Sequence, residues 1–174
     1  MIVVVSDGKR DLKKRMRAYL AGPFGFSEAG RHYQDTVLTP ALGDAGVDVV
    51  DPWKLADAER IAAVAAMAPG PGRMAAWREL NEDIGRTNAR AIDSCEAVIA
   101  VLDGVDVDSG TAAEIGYAFA KGKRILGYRG DFRLSSDNEG ARVNLQVEYF
   151  IHASGGAIAA SLEELLKATA ELKL

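Results

Sequence analysis

A single cysteine, Cys95, in 174 residues excludes an intramolecular disulfide framework and a cysteine-based zinc cluster. No apolar run approaches the roughly eighteen residues of a membrane span. The opening run Met1–Val5 is shorter than a signal-peptide core and leads to Asp7 rather than to a cleavage site. Basic residues are in slight deficit: 21 Lys+Arg against 25 Asp+Glu leave a net charge of −4, which argues against a nucleic-acid footprint. Histidine is scarce too. His32 and His152 stand far apart, and no His/Asp/Glu spacing points to a metal. What is present is an ordinary globular composition, 48% hydrophobic and 26% charged, long enough for a core that needs no staple. The expectation is a soluble, cytoplasmic protein of a reducing compartment that acts on small molecules without a metal or cofactor.

Along the chain, residues 1–15 stand apart. Ile2–Val5 reads as a short strand, Ser6-Asp7-Gly8 as a turn, and Lys9–Arg15 holds five basic residues, a solvated arm. With Met16 preceding a clearer strand, residues 1–15 are expected to be an extension and residues 16–174 the domain. From there strand and helix alternate. The expected strands are Ala18–Ala21, Val47–Val50, Ala97–Leu102, Arg124–Tyr128 and a short Gly156–Ala159. The expected helices are Glu28–Ala45, Lys54–Met67, Met74–Asp93, Thr111–Lys121 and Leu162–Leu172, with a break at Ala68-Pro69-Gly70-Pro71-Gly72. Val143–His152 mixes apolar and amide residues and reads as an interface element or as a packed helix that Asn144 caps.

This alternation predicts a doubly wound parallel sheet of five strands with helices on both faces. In such sheets ligands bind beyond the carboxyl ends of the strands, where strand order reverses. For the order 2-1-3-4-5 that point lies between the strands ending at Ala21 and Leu102. The loops there are Gly22-Pro23-Phe24-Gly25-Phe26 and Asp103–Gly110, one aromatic and glycine-rich, the other with three carboxylates.

Spacing after the second loop makes Thr111 an N-cap and Glu114 its capping-box partner. The same placement offers chemistry, because a carboxylate in a helix's first turn is kept ionised by the helix N-terminus and can attack an electrophilic carbon. In the first loop Phe24 and Phe26 either fill core or stack on a planar ring. A phosphate cradle is disfavoured there, since no Walker Lys is present and Pro23 lacks an N–H. Asn81, Glu82 and Asp83 read as a solvated helix face unless Asp83 faces a pocket with Glu114. Cys95 reads as a small buried hydrophobe.

Tyr19-Leu20-Ala21-Gly22-Pro23-Phe24, Asn81-Glu82-Asp83-Ile84, Asp108-Ser109-Gly110-Thr111-Ala112-Ala113-Glu114-Ile115-Gly116-Tyr117-Ala118 and Val143-Asn144-Leu145-Gln146, in this order, resemble the nucleoside 2-deoxyribosyltransferase family. The likeness runs from about Arg17 to the C-terminus. It implies a flavodoxin-like Rossmannoid fold and transfer of a 2-deoxyribosyl group between nucleobases. By motif, Glu114 resembles the nucleophile and Tyr19 the hydroxyl that orients it. Asp83 resembles the acid that protonates the base, a role that would need its pKa raised by burial or by a nearby like charge. Asp108 resembles the carboxylate on the sugar hydroxyls, with Gly22, Phe24, Phe26 and Gly110 around the substrate. Asn144 resembles an amide supplied by a neighbouring subunit, so the resemblance implies homodimers or homohexamers with shared sites. The implied partners are 2′-deoxynucleosides and free bases, with no nucleic acid and no membrane.

A related reaction, hydrolysis of 2′-deoxynucleoside 5′-monophosphates by an N-glycosidase, would bring a phosphate dianion that Asp108 repels and no arginine of the first loop offsets. A non-catalytic nucleotide-binding module would leave the pairing of Glu114 with Asp83 unexplained. The segment Leu55–Trp77 departs most from the family pattern and reads either as a lid over the base or as an inert insertion.

Overall fold

The computed structural model describes residues 15–172. The expected extension therefore lies outside the described residues, apart from Arg15, whose guanidinium donates to the carbonyls of Gly43 and Val47 at 2.9 and 2.8 Å. Five parallel strands, β1 (Met16–Ala21), β2 (Val47–Val50), β3 (Ala97–Val101), β4 (Arg124–Tyr128) and β5 (Ile158–Ala159), form one sheet in the order β2-β1-β3-β4-β5. This is the doubly wound, flavodoxin-like arrangement expected from the alternation of elements.

The strands are near-continuous apolar runs because both faces of the sheet are covered. Side chains alternate between two cores. Tyr19, Ala21, Val98 and Ala100 point to one face, with Ile92 of α4 (Pro71–Ser94), Ile115 of α5 (Ser109–Ala120) and Ile151 of α6 (Leu145–Ala153). Ala18, Leu20, Ile99 and Val101 point to the other, with Leu42 of α2 (Thr39–Asp44) and Leu165 of α7 (Leu162–Glu171). Cys95 is buried, as expected of a small hydrophobe.

Three helix expectations need correction here, and a fourth, the start of α5, at the carboxyl edge. The stretch Glu28–Ala45 is not one regular helix. It runs as α1 (Glu28–Tyr33), a wider π turn (Gln34–Leu38) and then α2. Pro40 has no N–H and its ring crowds the carbonyl four residues back, which the wider turn relieves. Lys54–Met67 splits into a single 3-10 turn (Pro52–Lys54) and α3 (Ala58–Ala66), because Asp57 caps the helix by accepting from the Arg60 N–H at 2.9 Å. α4 begins at Pro71 rather than Met74. A proline in the first helical turn forfeits no hydrogen bond, so the residue expected to break the helix opens it.

Leu42, fully buried beneath the sheet, is the anchor of α2. Leu42→Ala is expected to destabilise the chain by about 2–5 kcal/mol, the range for a buried leucine leaving a cavity. Urea unfolding with an unchanged m-value checks this, and a near-zero change would mean that α2 does not share the core.

Candidate active site

The two loops at the carboxyl edge, from β1 and β3, frame a cavity of about 320 Å³ lined by Gly22, Phe26, Pro52, Trp53, Ala56, Ile61, Ile84, Asn88, Asp108, Gly110, Thr111 and Glu114. Its aromatic wall is built from the β2 end. Asp51, buried, accepts from the Gln34 amide at 2.9 Å and from the Trp53 N–H at 3.0 Å, which sets the turn that presents Trp53. The Trp53 indole N–H donates to the Gly22 carbonyl at 3.3 Å. Gly25 lies directly under the indole, where any β-carbon would overlap the ring. Gly22 is held similarly close, since a β-carbon there would come within 2.8 Å of Val101 Cβ. Phe26 meets Trp53 edge-on at a centroid distance of 4.7 Å, and it lines the cavity as expected. Phe24 does not. Its ring turns to the sheet-side core and packs edge-on against Tyr33 at 5.6 Å.

The carboxylates come from α5 and the loop before it. Asp108, not Thr111, is the N-cap of α5: Oδ2 accepts from the Thr111 N–H at 2.9 Å and from its hydroxyl at 3.1 Å. The helix thus starts before Thr111, and the capping-box expectation for Glu114 is overturned. Glu114 sits in the second turn and is free for other work. The expectation that the helix N-terminus keeps it ionised also fails, because that field fades beyond the first turn. Burial dominates instead and raises the Glu114 pKa above the ordinary glutamate value; the charge of Asp108 pushes the same way.

Tyr19 opposes that rise. Its hydroxyl donates to Glu114 Oε1 at 2.5 Å, a bond that favours the ionised carboxylate. Tyr19 is fully buried on β1, and burial together with the Glu114 charge drives the phenol pKa far above its usual value. The phenol is therefore a permanent donor. The strand alternation that sends Tyr19 to the α5 side of the sheet brings together two residues ninety-five positions apart.

Asp83 is the main departure from expectation. Its carboxylate lies in an adjoining cavity of about 210 Å³, with Asp57, Arg60, Arg86 and Arg90 among the lining, and not in the cavity of Glu114. Asp83 Oδ2 accepts from Arg60 at 2.5 Å and Oδ1 from Arg86 at 2.8 Å. These bonds hold its pKa below the usual carboxylate value, so the expectation of a raised pKa is corrected. Residues Leu55–Trp77 are no inert insertion locally: Ala56 and Ile61 line the cavity, and Arg60 ties α3 to α4.

Asn144 caps α6, its Oδ1 accepting from the N–H groups of Gln146 and Val147 at 3.0 and 3.4 Å. Within the chain it faces a separate cavity beside Val105 and Asp137. Trp53 and Asn88 escaped the sequence reading. Trp53 was legible, since it follows the end of β2 at the same sheet edge. Asn88 required knowing which face of α4 turns inward.

Among the described residues, no group of three His, Cys, Asp or Glu could hold a metal ion, and no helix is long and apolar enough to cross a membrane.

Comparison with known proteins adds three kinds of likeness. A solved 2-desoxiribosyltransferase from Leishmania mexicana superposes with a TM-score of 0.60 at 26% identity, covering 91% of this chain and 99% of that one. A conserved protein from Enterococcus faecalis gives a TM-score of 0.64 at 23% identity, over 90% and 98% of the two chains, and shares the fold. So does a 2-deoxyribosyltransferase from Bacillus psychrosaccharolyticus, at TM-score 0.57, 19% identity, and coverage of 86% and 90%. An uncharacterized protein of Schizosaccharomyces pombe is 33% identical over 120 residues, 67% of this chain and 51% of that protein. The chain thus spans about half the length of the curated relative it matches. Residues 18–146 match the family described as nucleoside 2-deoxyribosyltransferase, a match that holds Tyr19, the Asp108–Glu114 block and Asn144 together, and the chain belongs to that family.

Proposed function

We propose that this chain moves a 2-deoxyribosyl group from a 2′-deoxynucleoside to a free purine or pyrimidine base by a retaining double displacement through Glu114. The observation that carries the reading is the buried Tyr19 hydroxyl holding Glu114 Oε1 at 2.5 Å beside a cavity walled by Trp53 and Phe26. An apolar wall suits a planar heterocycle, and the Asp108 and Glu114 carboxyl groups in the same lining suit a sugar.

Glu114 attacks C1′ from the face opposite the base. The C1′–N bond breaks with its electron pair going to the base, through an oxocarbenium-like transition state, and a C1′–O bond forms. A nitrogen of a second base then displaces the Glu114 carboxylate, so two inversions leave configuration unchanged. The missing 2′-hydroxyl removes an electron-withdrawing neighbour of C1′, which favours the deoxy sugar. Water reaching the intermediate would hydrolyse it, and the indole of Trp53 opposes that.

Asp108 serves the sugar hydroxyls with the oxygen that its cap leaves over. No arginine or lysine stands among the described residues lining this cavity, which supports a nucleoside over a nucleoside monophosphate. Asp83 is left out of this scheme because both its oxygens are committed to arginines. Asn144, turned away from its own chain's cavity, serves the site of a neighbouring copy, and the working form is an oligomer.

Glu114→Gln is expected to lower base exchange between deoxyinosine and free adenine by at least about a thousandfold, as loss of a covalent nucleophile does. The thermal transition should be retained, and chromatographic assay for deoxyadenosine checks the rate. Substantial residual exchange would remove Glu114 from the role.

The attacking carboxylate must be ionised, so kcat/KM should fall as the pH drops through a value above the usual glutamate range. Tyr19→Phe, which removes the bond that lowers this pKa, should move that limb to higher pH. Asp108→Asn should move it lower. Stability runs the other way. A carboxyl whose folded pKa is raised stabilises the fold when protonated, and that contribution is lost as the pH rises through the folded pKa. pH–rate profiles of the three proteins test the order.

Asn144→Asp keeps the helix cap and loses the amide. Mixed with Glu114→Gln under conditions of subunit exchange, it should regain activity that neither variant has alone. No regain after verified exchange would exclude a site shared between copies.

A further inference from the structure

Polar groups around the cavity divide by helix. The loop and first turns of α5 supply Asp108, Thr111 and Glu114, whereas α4 supplies one polar side chain, Asn88. Asn88 also lines the small cavity where Glu114, Ala113 and Tyr117 of α5 meet Ile92 of α4, and it borders the cavity of Asp83. It stands four residues from both Ile84 and Ile92, so these three share the face of α4 turned toward α5. Asp83 is five residues before Asn88, about 140° around the helix, and faces α3. The Asn88 amide makes no hydrogen bond among the described residues.

We infer that Asn88, and not Asp83, is the side chain of α4 that meets the nucleobase, and that it acts as a neutral amide that pairs with the ring and donates no proton to it. This deepens the reading above and rests on it. An amide presents one donor and one acceptor side by side, the complement of a heterocycle edge that carries an acceptor nitrogen next to an amino group. Left unpaired in a half-buried apolar cleft, it is a group that a bound base satisfies. Asp83 is the reverse case. To act as an acid it would have to leave Arg60 and Arg86, and the Arg60 bond also joins α3 to α4.

The proton balance follows. When the C1′–N bond breaks, the electron pair stays on the base, the Asn88 N–H bonds to the ring, and the proton the base takes up comes from water. In the second half of the reaction the incoming base loses its N–H proton to water. Asn88 is thus a specificity and positioning residue. No acid of α4 contributes a limb to the pH–rate profile.

The test measures kcat/KM against pH for exchange between deoxyadenosine and free hypoxanthine. The proteins are wild type, Asn88→Ala, Asn88→Asp and Asp83→Asn. Wild type should show the acid limb of Glu114 and no limb falling at high pH that Asp83→Asn removes. Asn88→Ala should lose about tenfold in kcat/KM, the worth of a neutral hydrogen bond or two, without moving the Glu114 limb. Asn88→Asp should add a second limb that falls as the new carboxylic acid ionises. Asp83→Asn should keep rate and profile. An unchanged rate in Asn88→Ala, or a lost rate in Asp83→Asn, overturns the inference.

If wild type exchanges no base with any deoxynucleoside, the proposed reaction fails, and calorimetric titration of free adenine decides the inference by itself. Adenine binding that Asn88→Ala weakens and Asp83→Asn keeps supports it. Equal binding in both variants, or none in wild type, overturns it.

Discussion

A carboxylate confined between helices at the end of a sheet is unstable as an anion, and one hydrogen bond determines whether it is useful. Burial and the charge of Asp108 raise the Glu114 pKa, and the Tyr19 hydroxyl, itself kept protonated by burial, pulls it back. The pair works because neither partner meets bulk water on the sheet side: Tyr19 is fully buried, and its donor has no competitor. Everything else at the site preserves this arrangement. β1 holds the phenol in the interior, α5 holds the carboxylate over it, and Asp108 starts α5 early enough to leave Glu114 uninvolved in capping.

The second constraint is the position of α3 against α4. Residues 55–77 were the part of the chain furthest from the family pattern, yet they contribute Ala56 and Ile61 to the wall and Arg60 to Asp83. The Arg60–Asp83–Arg86 bonds are partly exposed and contribute little to global stability. Their effect is local. They commit the carboxyl of Asp83, orient α3, and leave Asn88 as the polar contribution of α4 to the cavity. A charge that looked like chemistry in the sequence pairs with arginines of α3 and α4, and a neighbouring amide without an obvious motif lines the cavity.

Most of the fold was legible because it depends on short-range periodicity. β-branched and apolar runs of strand length, separated by helical spacing, leave few arrangements besides a parallel sheet. Helix starts were less legible. Asp57, Asp108 and Pro71 each open a helix at a residue that also reads as loop or breaker, and the choice depends on a few backbone hydrogen bonds. Of the expected site, Glu114, Asp108, Gly22, Gly110 and Phe26 share one cavity, and Tyr19 lies beneath it. Phe24, Asp83 and, within one chain, Asn144 do not join them.

The amino-acid sequence by itself determined the order of elements, the apolar strands, and the carboxylate-bearing loop at the sheet edge, since these follow from residue type and spacing along the backbone. Tertiary structure decided which face of α4 turns toward Glu114 and whether a given carboxyl is paired or desolvated. Those outcomes depend on groups distant in sequence, Tyr19 against Glu114 and Arg60 against Asp83. A spacing rule describes one helix, and it carries no information about the rotation of that helix against its neighbours.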